Sequence, residues 1–107
     1  MKKTLIISVK ETIGNCPVYK IGDKIVIDEG YKINLGKSTA ICMHSLASIF
    51  PYYVALSNGI SPNDIGLSKI DLGKKTKERD KDLAYVQCLD PCKYTGGGTV
   101  VFEIKVK

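Results

Sequence analysis

The chain has 107 residues, of which 44% are hydrophobic and 25% are charged, a balance typical of one folded domain with its own core. This composition excludes a disordered chain and an enzyme with a separate cofactor domain. Sixteen lysines and arginines against eleven acidic residues give a formal charge of +5. No nucleic-acid-binding motif accompanies that charge and only 7% of the residues are aromatic, so we expect no nucleic-acid partner.

The beginning of the chain does not resemble a signal peptide. Its positively charged start, residues 1–3, is followed by an apolar stretch at 4–9 that Lys10 ends, and this stretch is too short for export. No run approaches the ~18 apolar residues that a membrane helix needs. We therefore expect a cytoplasmic protein without a membrane partner. In that compartment thiols stay reduced, and clustered cysteines favour metal binding or redox chemistry.

Alternation of apolar and polar residues predicts a first strand over 4–13. The residues expected on its apolar face are Leu5, Ile7, Val9 and Ile13. A Gly-Asn-Cys-Pro sequence at 14–17 ends this strand, because proline cannot donate to a sheet ladder. After a turn through Gly22, a second strand is predicted at Lys24–Asp28.

A helical segment follows, with Ser38 or Thr39 as the predicted N-cap. Apolar side chains recur there at helical spacing, at Cys42, Leu46, Ile49, Tyr53 and Leu56. Pro51 interrupts this pattern and removes a backbone donor, which predicts a kink or two short helices. Asn-Gly at 58–59 is a typical helix end.

The second half of the chain begins with a polar stretch, 60–82, which we predict to be one long loop. A third strand is expected from 83 to 88, and a last strand, long enough to lie centrally, from 99 to 106. The order of elements predicts an α+β fold over 1–107 as a single domain. A small, mostly antiparallel sheet would pack against one kinked helix or two short helices.

Four cysteines and the single histidine are the main functional candidates. Cys16 follows the first strand, Cys42 lies in the first turn of the predicted helix, Cys88 ends a strand and Cys92 follows the next turn. Backbone N–H groups at the ends of elements are free to bond to sulfur, and such bonds tune metal clusters. His44 is two residues after Cys42, so it can join the same site only if the first helical turn is irregular.

The cysteine spacing does not match a known metal motif. The Cys88–Cys92 separation is neither a zinc knuckle nor a ferredoxin sequence, so a site must be assembled from distant segments. Four thiols suit an iron–sulfur cluster or zinc, which makes all four cysteines and His44 candidate ligands. The alternatives are buried structural cysteines without any cofactor, or thiol redox chemistry between Cys88 and Cys92 or with Cys42.

No catalytic residue is predicted, and an enzyme is the less favoured class. The Gly-Lys-Ser-Thr sequence at 36–39 imitates the end of a phosphate-binding loop, but its first glycine is out of register. We expect a small metal- or iron–sulfur-binding protein in electron transfer or redox sensing, with a redox partner protein. The other hypotheses are a non-catalytic, homo-oligomeric interaction module with buried cysteines, and a thiol-based redox protein.

Six short motifs occur in an order that suggests a family. They are Cys16-Pro17, Ile21-Gly22-Asp23, Ile41-Cys42, Phe50-Pro51-Tyr52-Tyr53, Cys88-Leu89-Asp90-Pro91 and Val100-Val101-Phe102-Glu103-Ile104. In this order they resemble a family of small, functionally uncharacterised prokaryotic proteins that are common in anaerobes. The resemblance covers most of the chain.

The resemblance implies that Cys16, Cys42 and Cys88 are the shared cysteines and that Cys92 is additional. Leu89 departs from the family pattern, which has a proline there. A site built on three cysteines would take its fourth ligand from Cys92, His44, solvent or a neighbouring subunit. The family has no established activity, so the resemblance implies a three-cysteine arrangement without naming its chemistry.

Overall fold

The computed structural model describes residues 3–70 and 79–107. The strands and helices follow in the order β1 Leu5–Gly14, β2 Lys24–Asp28, β3 Lys32–Ile33, α1 Met43–Ile49, α2 Tyr53–Ser57, a 3-10 helix at Pro62–Ile65, β4 Ser68–Ile70, β5 Arg79–Gln87, α3 Cys92–Thr95 and β6 Gly98–Val106.

The strands form one six-stranded sheet in the order β3-β2-β1-β6-β5-β4, and every neighbouring pair is antiparallel. β1 and β6 lie side by side at its centre, and a central position for the last strand is what its length predicted. The short helices make this a small single-domain α+β fold, which confirms the predicted class.

One face of the sheet carries the core. Its fully buried side chains include Leu5, Ile7, Ile25, Ala84, Val100, Phe102 and Ile104, and α1 and α2 add Ile49 and Leu56. β6 contributes alternate residues to this face, namely Val100, Phe102 and Ile104. Burying each large apolar side chain contributes about 1.5–3 kcal/mol, so this layer is the main source of stability.

The face predicted for Ile13 is wrong because β1 contains a bulge. Val9 pairs with Phe102 and Glu11 pairs with Val101, so β1 has one more residue than β6 between these two pairs. An extra residue moves all later side chains to the opposite face. Ile13 is consequently 47% exposed, whereas Val9 is buried in the core.

Pro51 separates two short helices, α1 and α2, as its position predicted. The predicted capping role of Ser38 and Thr39 is wrong, because both side chains bond to β2 instead. Ser38 Oγ accepts the Val26 N–H at 2.9 Å and Thr39 Oγ1 accepts the Lys24 N–H at 3.0 Å. These bonds attach the segment before α1 to the sheet.

No helix within 3–70 or 79–107 has both the length and the apolar character to cross a bilayer.

The stretch 60–82 is only partly the loop that we predicted. It contains the 3-10 helix and β4, and β5 begins at Arg79; residues 71–78 lie outside the described residues. Ser61 Oγ accepts the Asn63 N–H at 3.3 Å and caps the 3-10 helix. β4 is formed by pairing with β5 and has only three residues, too few for apolar alternation to reveal it.

Candidate functional site

Three of the four cysteines line one cavity of about 120 Å³ between the β1–β2 connection, the start of α1 and the end of β5. Its polar side chains are Cys16, Cys42, His44, Ser45, Cys88 and Asp90. All four cysteines of the chain are free thiols. This cavity is named the thiol pocket.

Cys16 reaches the thiol pocket because its backbone lies directly against β6. A Cβ added at Gly98 would clash with the Cys16 backbone nitrogen, so no larger residue fits there without moving this segment. Asn15 N–H donates to Gly97 O at 3.1 Å and holds the same contact. The Tyr19 N–H then donates to Cys16 Sγ at 3.3 Å.

Cys42 is the N-cap of α1, with φ −87° and ψ 136°, and not a residue of its first turn as predicted. An extended backbone is usual for an N-cap, and here the Cys42 N–H donates to the Tyr19 hydroxyl oxygen at 2.8 Å. Helical spacing therefore does not apply between Cys42 and His44. Both residues line the thiol pocket, which the sequence allowed only for an irregular start of the helix.

Cys88 is the most firmly held of the three thiols. It directly follows β5, is 6% exposed, and its Sγ accepts the Val100 N–H at 3.2 Å. The Cys88 thiol donates to Gly98 O at 3.6 Å, and the Cys88 N–H donates to Val100 O at 2.9 Å. Cys88 thus forms a fixed wall of the pocket, held by β6.

Cys92 does not line the thiol pocket. It begins α3, and a Cβ added at Gly14 would lie 3.5 Å from its Sγ. The structure therefore brings Cys16, Cys42, Cys88 and His44 to one cavity and places Cys92 outside its lining. The Cys88–Cys92 pair considered for redox chemistry does not share this pocket.

Tyr19 is a residue of the site that the sequence analysis missed. It is 5% exposed and its ring meets Phe102 edge-on, with ring centroids 5.5 Å apart. Burial raises the pKa of the Tyr19 hydroxyl, and the bond from the Cys42 N–H opposes this effect. Tyr19 belongs to no predicted strand or helix, so no apolar period marked it, although it lies three residues after Cys16, within reach of a local turn.

Ser45 is the second missed residue. It lines the thiol pocket, is 1% exposed, and its Oγ has no hydrogen-bond partner of acceptable geometry in the described part of the chain. Its hydroxyl is near enough to Tyr19 to favour the ionised phenol slightly, but the two do not form a regular hydrogen bond. The four-residue step from Ser45 to Ile49, both within α1, is the signal that places Ser45 on the buried face.

The thiol pocket offers soft sulfur ligands of the kind that zinc and iron–sulfur clusters prefer. As they stand, the His, Cys, Asp and Glu side chains of 3–70 and 79–107 include no group of three or more that could hold a metal ion. A metal centre here would thus require the three sulfurs to move closer together. Cys16 lies on the β1–β2 connection and Cys42 directly precedes α1, so both backbone segments would have to shift.

No family model, curated protein or solved structure matches this chain. The resemblance of its six motifs to small prokaryotic proteins stays a prediction. A proposal for function rests on the fold and on the thiol pocket.

Proposed function

We propose that the chain binds a thiophilic metal centre, an iron–sulfur cluster or zinc, through Cys16, Cys42 and Cys88, and that it serves in electron transfer or redox sensing. One observation carries this proposal. Free thiols from three separate segments line the same small cavity. Cysteines that only fill a core are not expected to line one shared cavity, because a buried thiol packs equally well against any apolar neighbour.

The hydrogen bonds at the sulfurs support a thiolate site. Cys16 Sγ and Cys88 Sγ each accept a backbone N–H, at 3.3 and 3.2 Å. A thiolate needs such donors when it is removed from water, and in iron–sulfur proteins the same bonds adjust the reduction potential. The donors are backbone groups, so they remain in place when side chains are substituted.

Metal binding would draw the two cysteines on connections toward the one held by the sheet. Because the site is assembled from segments far apart in sequence, part of the binding free energy would appear as stability of the folded state. We expect the β1–β2 connection and the segment before α1 to become more protected from hydrogen exchange in the metal-bound protein. β6, which already pairs on both sides, should change little.

The test begins with purification without oxygen, followed by measurement of iron, zinc, acid-labile sulfide and the visible spectrum. Protein isolated without metal is reconstituted anaerobically with ferrous iron and sulfide, or with zinc alone. We expect Cys16→Ser, Cys42→Ser and Cys88→Ser each to lower metal affinity by at least about tenfold, since each removes a ligand. Cys92→Ser is the matched control and should retain the metal.

Two results would contradict the proposal. The first is a colourless protein that binds neither metal after reconstitution and retains four titratable thiols. The second is a loss of metal in Cys92→Ser as large as in the other three variants. His44→Ala in the same series shows whether the histidine contributes a ligand.

A second candidate function, an oligomeric interaction module, is favoured by an apolar surface away from the thiol pocket. Tyr31, Phe50 and Val54 are 73%, 57% and 46% exposed. Tyr31 and Phe50 border a shallow groove of about 100 Å³ together with Tyr53. If this surface joins copies of the chain, light scattering should find an oligomer that Phe50→Ser reduces to a monomer. A wild-type monomer at all concentrations would contradict this candidate.

A further inference from the structure

A second cavity, larger than the thiol pocket, follows the outer edge of β5. Its volume is about 450 Å³, and its helical wall is formed by Ala47, Pro51 and Tyr52. The opposite wall includes the consecutive β5 residues 85–87. Successive side chains of a strand point to opposite faces, so a cavity that touches three residues in a row lies along the edge of the strand. This cavity is named the edge groove.

β4 covers only the first part of this edge. Its first residue, Ser68, pairs with Ala84, and just before it Leu67 O accepts the Tyr85 N–H at 2.9 Å. The chain before Leu67 belongs to the 3-10 helix and its cap, whereas β5 continues to Gln87. Within 3–70 and 79–107, no strand therefore pairs with the end of β5 on the side away from β6.

The main-chain groups of Gln87 point into the edge groove. The Cys88 N–H donates to Val100 O, toward β6, and the Tyr85 N–H donates in the opposite direction, to Leu67 O. Main-chain groups of neighbouring residues in a strand point to alternate sides, so Gln87 directs its N–H and C=O away from β6, as Tyr85 does. Gln87 is exposed, and neither group bonds to the part of the chain that the structure describes.

We propose that the edge groove binds an extended peptide segment of another protein, which pairs with Gln87 and extends the sheet beyond the start of β4. Strand addition of this kind takes its affinity from main-chain hydrogen bonds and its specificity from the side chains that enter the groove. One side chain of the segment would lie against Ala47 and Pro51. This function is separate from the proposed metal centre and does not depend on it.

The helical wall favours a single extended chain over a second copy of the protein. It stands opposite the edge, so the sheet of a second folded copy would meet Pro51 and Tyr52 before its own edge reached Gln87. An added strand needs only one strand spacing, ~4.8 Å, between its backbone and that of β5.

The charges around the edge groove indicate the composition of the peptide. The described residues that line it are uncharged, which favours an apolar side chain at the centre of the segment. Lys69 Nζ lies 6.0 Å from the centroid of the Tyr85 ring, at the end where β4 begins. Glu103, which accepts the Tyr85 hydroxyl, is also paired with Lys10 at 3.6 Å. With a formal charge of +5 on the chain, an acidic residue at the end of the segment is favoured.

Peptide titration followed by nuclear magnetic resonance tests this inference. The probes are capped peptides of sequence Glu-Val-Thr-X-Thr-Val-Glu, in which X is valine, leucine or phenylalanine. We expect at least one of them to cause saturable shifts of the Gln87 amide and to slow its hydrogen exchange. The same peptide, N-methylated at its three central residues, keeps the side chains but loses main-chain donors, and should bind at least about tenfold more weakly.

Variants of the groove locate the site. Gln87→Pro removes the outward N–H without breaking a bond to β6, a position at which edge strands tolerate proline, and should lower peptide affinity at least about tenfold. Gln87→Thr is its control, because it keeps the N–H, and should bind like the wild type. Ala47→Phe fills the groove and should also prevent binding. Ala55→Phe, on α2 and outside the described lining, should not.

Three results would overturn the proposal. One is that no peptide of the series shifts the Gln87 amide. Another is equal affinity for the plain and the N-methylated peptide, which needs no variant and keeps the test decisive if Gln87→Pro does not fold. The last is protection of the Gln87 amide that rises with protein concentration in the absence of peptide, which would assign the edge to a second copy. All measurements use metal-free protein, so their outcome is independent of the thiol pocket.

Discussion

Replacing Tyr19 by phenylalanine should destabilise the protein through a single lost hydrogen bond. The phenol oxygen accepts the Cys42 N–H at 2.8 Å, and this bond directs the backbone of the N-cap of α1. Phenylalanine keeps the ring and its edge-on contact with Phe102, at 5.5 Å between centroids. The substitution therefore removes one acceptor and leaves the apolar packing unchanged.

The expected cost follows from the donor that is left without a partner. A buried N–H that loses its acceptor costs about 1–3 kcal/mol. Cys42 is only half-buried, so water can partly replace the phenol, and we expect a loss of about 1–2 kcal/mol in the free energy of unfolding. For a domain of this size each kcal/mol lowers Tm by about 4–8 °C.

Thermal and urea unfolding of the metal-free protein measure this loss, with Tyr94→Phe as the matched control. Tyr94 is 84% exposed, so its variant should remain within about 0.5 kcal/mol of the wild type. The pH dependence gives a second readout, since burial raises the pKa of Tyr19. Above pH ~10 the unfolded tyrosine releases its proton more readily than the folded one, so wild-type stability falls.

Phenylalanine has no such proton, so the stability gap between wild type and Tyr19→Phe should narrow as the pH rises above ~10. The other tyrosines titrate in both proteins and cancel in the difference. A Tyr19→Phe variant as stable as Tyr94→Phe would refute this account of the N-cap. A gap that widens at high pH would show that the sign of the pKa shift is wrong.

Further predictions concern the sheet and the Cys16 segment. Gly98→Ala should displace that segment and lower both the free energy of unfolding and the metal affinity. Gly36→Ala is the control, because its added Cβ meets only an ordinary contact at 3.5 Å, and it should change neither quantity. Ile7→Ala should cost about 2–5 kcal/mol in urea unfolding and Ile13→Ala less than about 1 kcal/mol; equal losses would contradict the bulge in β1. Ser38→Ala should cost about 1 kcal/mol and speed hydrogen exchange of the β2 amide to which its hydroxyl bonds, while unchanged exchange there would support the helix-capping role instead.

Much of the fold could be predicted from local patterns. β2 has the predicted bounds, Lys24–Asp28. Pro51 separates α1 from α2, because proline lacks a backbone N–H donor whatever its tertiary surroundings are. Ile13 was misplaced because a bulge is a property of two paired strands, and its position depends on the register with β6. Ser38 was misread for a similar reason, since a serine before a helix bonds equally well to the helix or to a neighbouring strand.

The candidate site divides in the same way. That Cys16 and Cys88 lie near the ends of strands followed from alternation and from the turns after them. The convergence of Cys16, Cys42 and Cys88 on one cavity could not be predicted from the sequence. It depends on the absence of a side chain at Gly98, which lets the Cys16 backbone lie against β6. Such contacts join residues far apart along the chain, and no local periodicity records them.

The sequence by itself determined the four longer strands, the helical segment divided at Pro51 and the residue types available for chemistry, because backbone preference and apolar period are local properties. Only the tertiary structure decided that Cys42 is an extended N-cap, that Cys92 lies outside the pocket, and that Ser45 is buried in the pocket wall. Each of these depends on which groups from distant segments come within bonding distance. That is settled by how β1, β5 and β6 pair and by how α1 packs on them.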